Sequence, residues 1–188
     1  TIGAVGVLAL TAAGVLMLRD DGPPTSRVDV GPASSLPALP ANCTATYAEP
    51  AGCHLQPTDA EAYLGFHVRT VTGVPRGWEI VREDLRAYPG ADPADPARTV
   101  PLYVRVWAAP GTDFSTGTPT YIQLRERLAL SADNSPCGQP PRRVVLDDGS
   151  IACGGGSDLT WMNDGVWYSL FAPGVAEDDL IQFANALR

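Results

Sequence analysis

The chain has 188 residues, with 13 basic against 21 acidic side chains and a formal net charge of −8. All 13 basic residues are Arg, and the absence of Lys removes a phosphate-loop lysine, a pyridoxal Schiff base, a Ser–Lys dyad and a kinase lysine. Two His, His54 and His67, are too few for a His-rich metal site, and the acidic balance argues against nucleic acid, whose phosphates need a basic face.

Ile2 to Leu18 carry no charge, and Thr11 is their single polar side chain. At 1.5 Å per residue about 18 apolar residues span roughly 27 Å, close to the hydrocarbon core of a bilayer. A buried core helix would show a polar face, and this segment shows none. The rival reading is a cleaved signal peptide. Against it, Arg19-Asp20-Asp21 follow directly and Val15 to Leu18 contain no small-x-small cleavage site. Residues 1–18 therefore read as a single transmembrane helix. Residues 19–57 hold Pro23, Pro24, Pro32, Pro37, Pro40, Pro50 and Pro57. Such a segment reads as a semi-extended tether, because proline removes donors and fixes φ.

Four cysteines, Cys43, Cys53, Cys137 and Cys153, allow three pairings. The sequential pairing closes two short loops. Structural zinc sites bring cysteines in tighter pairs than these, so disulfides are expected, and with them an oxidising compartment. Span and disulfides agree on a cell-membrane protein, single-pass, with its C-terminal domain extracytoplasmic.

Residues 58–188 are expected to form that domain. Thr58 with Glu61 reads as a capping box opening a short helix that Gly65 ends. Phe66 to Val71 reads as a short strand and Val74 to Trp78 as a turn. Glu79 to Tyr88 is the next strand. Leu102 to Ala108 alternates, with Leu102, Val104 and Val106 on one face and Tyr103, Arg105 and Trp107 on the other. Tyr121 to Leu130 alternates too, with Tyr121, Gln123, Arg125 and Arg127 outward. Glu126 on the apolar side of that strand implies a bulge or a buried pair with an Arg. Asp147-Asp148-Gly149 and Asn163-Asp164-Gly165 mark two hairpins. Ala176 to Leu187 is an amphipathic helix with Leu180, Phe183, Ala184 and Leu187 in one stripe and an acidic start. The fold class is α+β: an antiparallel sheet of about six to eight strands with a short N-terminal and one C-terminal helix.

Gly65, Phe66, Pro75, Gly77 and Trp78, followed by Trp161, Gly165, Tyr168, Leu170 and Leu187, carry a resemblance. Residues 58–188 are similar to bacterial, particularly actinobacterial, membrane-anchored extracytoplasmic domains of unknown function. Related domains follow the membrane span of some anti-sigma factors. The Cys137 and Cys153 loop departs from that pattern. The resemblance implies no activity, no cofactor and no catalytic residues.

Neither His has a nucleophile elbow to serve, and the acid pairs Glu83-Asp84, Asp147-Asp148 and Asp178-Asp179 sit on a strand, in a turn and at a helix start. No catalytic residue and no metal ligand is assigned. The expected function is a non-enzymatic binding or accessory module, a sensor or ligand binder. Its partners are the membrane, through residues 1–18, and an unidentified protein or small ligand. The alternatives are a protein-interaction or scaffolding subunit of a membrane complex, and a cell-wall glycan hydrolase using paired carboxylates. Arg and aromatic side chains anchor interfaces, so the expected binding face is Tyr103, Arg105 and Trp107 with Tyr121, Arg125 and Arg127, joined by Trp161.

Overall fold

The computed structural model describes residues 37–41, 43, 53–89, 92–115, 117, 119–130, 133, 137 and 142–188. The expected membrane span and most of the tether lie outside these residues. Among the described residues no helix is long and apolar enough to cross a membrane.

An antiparallel sheet of eight strands organises the domain, in the order β1-β2-β3-β4-β8-β7-β6-β5. The strands are β1 (Cys53–His54), β2 (Glu79–Pro89), β3 (Thr99–Ala108), β4 (Tyr121–Leu128), β5 (Arg142–Val145), β6 (Ile151–Gly155), β7 (Asp158–Asn163) and β8 (Val166–Phe171). The chain leaves the sheet after β4, re-enters at the far edge as β5, and returns by hairpins until β8 closes against β4. The expected hairpins form. The β7–β8 loop is two residues long, Asp164 at φ 49° and Gly165 at φ 75°, the positive-φ pair a tight turn with the right twist requires. Helices α1 (Pro57–Leu64) and α2 (Glu177–Asn185) complete the α+β fold.

Both helices pack on one face of the sheet. Beneath α1, Ala60 and Leu64 meet Leu85 and Tyr103 together with Cys43 and Cys53. Beneath α2, Leu180, Phe183, Ala184 and Leu187 meet Trp107, Ile122, Leu124, Leu159, Trp161 and Leu170, so the expected helical stripe is the buried one. Cys53 and Pro57, expected in the tether, are thus part of the domain: Cys53 pairs with Leu85 in the sheet and Pro57 opens α1.

Two local expectations are corrected. Thr58 does not cap α1. Pro57, with its fixed φ, takes the first helical position, and Gln56 becomes the cap residue without a side-chain bond. Freed from a capping box, Glu61 Oε1 accepts from the Val68 amide (2.9 Å) and meets His67 Nδ1 (2.7 Å). Gly65 does end the helix, in the left-handed region at φ 75°. Phe66 to Val71 is not a strand; Val71 makes one isolated bridge to Leu187. The segment crosses the face of the sheet, where no ladder is available, and takes its hydrogen bonds from side chains and from Arg188.

The cysteines pair sequentially, Cys43–Cys53 and Cys137–Cys153, with Cα separations of 4.7 and 5.2 Å. Cys137–Cys153 holds the connection between β4 and β5 against β6. By loop-closure entropy it contributes about 3 kcal/mol. Replacing both Cys137 and Cys153 with Ser should lower unfolding free energy by about that amount in urea titration. In intact-mass measurement of the parent chain, all four thiols should alkylate only after reduction.

Candidate functional site

The residues expected to form one binding face stand on two. The register pairs Trp107 with Ile122 and Tyr103 with Glu126, which turns Tyr103, Arg105 and Trp107 toward the helices. Trp161 joins them, fully buried and stacked on Tyr168 with ring centroids 5.2 Å apart. Tyr121, Arg125 and Arg127 point from the opposite face. Strand β3 is buried on both sides, so its polar pattern does not say which side is out. The expectation of a shared outward face is corrected by that register.

On the helix-covered side a charged centre separates the two halves of the core. Glu126 is fully buried, and its Oε2 accepts from Arg105 Nη2 at 2.7 Å. This is the buried pair that the misplaced carboxylate implied; no bulge is needed. Glu126 Oε1 accepts from the Arg69 amide at 3.2 Å, while Arg105 Nη2 also donates to the Arg69 carbonyl at 2.7 Å. Arg69 Nε donates to Tyr168 Oη at 2.9 Å, and its guanidinium lies over the Tyr168 ring, 4.8 Å from the centroid. The Arg105 guanidinium lies 5.3 Å from the Trp107 ring centroid. Burial pushes the Glu126 carboxyl above its ordinary range, against the opposing pull of Arg105. Burial likewise pushes the Tyr103 and Tyr168 hydroxyls up. The centre is closed over by residues 66–71, so its chemistry is cohesion.

Removing one partner of a buried pair leaves an unpaired charge, so Arg105→Ala should cost about 3–5 kcal/mol of stability in urea titration. The double replacement Arg105→Met with Glu126→Leu should cost less than that single variant, because neither charge is then stranded.

An accessible concavity among the described residues lies at the edge of the same face. A cleft of about 620 Å³ lies between α2 and the segment 73–78, its lining including Pro75, Trp78, Val175, Asp179, Gln182 and Phe183. Its walls meet closely. A Cβ on Gly73 would run into the Cβ of Ala186, so only glycine lets segment 73–78 approach the helix. Phe183 is held from behind by the Trp107 ring, edge-on with centroids 5.4 Å apart. Asp179 is the one carboxylate among the described lining residues. Of the acid pairs, Glu83 faces Arg105 and Asp84 faces Val104, on opposite sides of the sheet. Among the described residues no three His, Cys, Asp or Glu side chains are grouped to hold a metal ion.

Sequence reasoning did not assign the cleft. Trp78 and the α2 stripe were visible, but their meeting joins positions a hundred residues apart, which no local pattern records. No known family, curated protein or solved structure matches this chain.

Asp133 anchors the connection after β4. Burial pushes its carboxyl up, but bonds from Arg127 (2.6 and 3.0 Å) and the Leu130 amide outweigh that and hold it below the usual carboxylate range. A carboxylate with a depressed folded pKa contributes stability that is present above its unfolded value and lost as pH falls through the folded one. Stability of the parent should therefore drop below about pH 4. Asp133→Asn should flatten that part of the curve in pH-dependent thermal unfolding.

Proposed function

We propose that the chain is a non-enzymatic binding module, tethered to the outer side of a membrane, whose small-molecule ligand enters the cleft between α2 and residues 73–78. The observation that carries this reading is the cleft itself: a concavity lined by Trp78, Val175 and Phe183 together with the polar side chains of Thr120, Asp179 and Gln182, the mix small-ligand sites take. A sensor of this kind needs a groove between helix and sheet, whereas a plain scaffold needs none. The two cysteine pairs at bonding distance support an oxidising compartment and so an extracytoplasmic domain. The uncharged run over residues 2–18 supports the anchor. The glycan-hydrolase alternative needs two carboxyl groups facing each other across a cleft, and Asp179 offers this one a single carboxylate among the described residues.

The test is amide-shift mapping of the full chain in nanodiscs against a library of small aromatic and aliphatic compounds. Shifts should gather on Gly73, Gly174, Gln182 and the Trp78 indole. Trp78→Ala should abolish them; because the indole also packs against the core, the variant's thermal midpoint is read beside the shifts to separate lost binding from lost folding. Shifts scattered over the surface, or none, would overturn the cleft as the site.

A further inference from the structure

Strand β5 stands last in the sheet order, and among the described residues no strand lies beyond it. On its inner side it pairs with β6, Arg143 with Cys153, Val144 with Ala152 and Val145 with Ile151. Hydrogen-bonded and non-bonded pairs alternate along an antiparallel ladder. Leu146 N donates to the Ser150 carbonyl at 2.9 Å, which fixes the phase of that alternation. Val144 therefore spends its amide and carbonyl on β6, while those of Arg143 and Val145 point to the open edge.

The side chains alternate as well. Val144 packs against the core beneath α2, and Arg142 reaches Glu177 of that helix at 2.7 Å. Arg143 and Val145 stand on the opposite face. Val145 is 71 % exposed and lies beside Ile151, itself 49 % exposed. Asp147, exposed at the start of the turn, follows two residues later. Neither the Arg143 guanidinium nor the Asp147 carboxylate meets a partner among the described residues. Charge on an edge strand ordinarily keeps a second strand away. Here the charges run cation, apolar, anion about Val145, a pattern that complements itself when it is laid antiparallel on a copy.

We propose that β5 pairs antiparallel with β5 of a second copy of this chain, about a two-fold axis through Val145. Val145 then exchanges backbone bonds with its counterpart, and Arg143 of each copy faces Asp147 of the other. Ile151 and Val145 form one apolar row with their counterparts across four strands of a continuous sheet. Charge complementarity selects both the occupant and the register. Moving the axis toward Arg143 brings the two guanidinium groups together, which is repulsive. A strand of another protein would gain the same backbone bonds, but this chain carries both halves of the charge match itself. The contact is small, so the dimer is a weak one.

The test is sedimentation velocity of the full chain in detergent micelles over a concentration series. The parent should pass from monomer to dimer, and the transition should move to higher concentration as salt rises. Val145→Pro removes a donor the fold does not use, and proline is tolerated where its missing N–H faces outward. It should abolish the dimer and leave the thermal midpoint close to the parent's. Arg143→Asp and Asp147→Arg should each raise the dissociation constant about tenfold or more, since each sets like charges face to face. Mixed in equal amounts, these two variants should associate about as tightly as the parent, because each supplies the charge the other lacks. A rescue that needs two chains cannot come from the fold of either one, so the mixture keeps the test decisive if Val145→Pro does not fold. The proposal is overturned by a parent that stays monomeric, or by a mixture that associates no better than its components alone. It is equally overturned by a dimer that survives in folded Val145→Pro, which would place the association elsewhere, the apolar run over residues 2–18 included.

Discussion

The pair between Arg105 and Glu126 is the constraint on which the rest of the domain turns. A carboxylate with no exposure can stay in a core only if both its oxygens are bonded and a cation stands beside it. Glu126 meets this condition by drawing on two distant parts of the chain, Arg105 on β3 and the backbone of Arg69. Because Arg69 supplies an amide and a carbonyl to the pair, residues 66–71 are pinned across the sheet. Arg69 then reaches Tyr168 and, through its carbonyl-bonded neighbours, the C-terminus: Thr70 and Arg188 exchange backbone bonds. The apolar halves under α1 and α2 are therefore joined by charge instead of by more leucine.

That choice shapes the cleft. With residues 66–71 fixed by side chains, the chain continues through Val71, bridged to Leu187, into Gly73, which abuts Ala186. One wall of the cleft is thus carried by the charged centre and the other by α2, whose Phe183 is buttressed by Trp107 two residues from Arg105. Loss of the pair would be felt first where segment 66–78 meets the helix. A binding site placed there inherits rigidity from buried groups it never touches.

Much of this fold was legible in the sequence because it rests on local signals. The two Asp-Gly turns, Gly65 as a stop and the Leu180–Phe183–Leu187 stripe each report backbone needs or helical period directly. Glu126 was legible as an anomaly, an acid on an apolar face, and the anomaly marked the centre of the domain. The orientation of β3 was not legible. Alternation assigns two faces but not which is covered, and here one is covered by helices while the other packs against Tyr88, Tyr121 and Trp167, so both bury their residues. Phe66 to Val71 misled for a related reason: its extended, apolar look fits a strand, but it is extended because side chains bind its backbone, not because a neighbouring strand does. Thr58 lost its cap to Pro57, a competition between two good start signals one residue apart.

The two faces also divide the labour available to the molecule. The helix-covered face has used its buried charges on itself, and the cleft at its edge carries one carboxylate, Asp179, among the described lining residues. The other face packs its apolar β3 residues against Tyr88, Tyr121 and Trp167, with Asp84 shared between Arg82 and Arg86 and Arg127 held by Asp133. The same residue type thus does opposite things across one sheet. Arg105, met by a buried carboxylate and an aromatic ring, closes the core, while Arg125, one strand over and facing the other way, stays half-buried with its Nε bonded to Gln123.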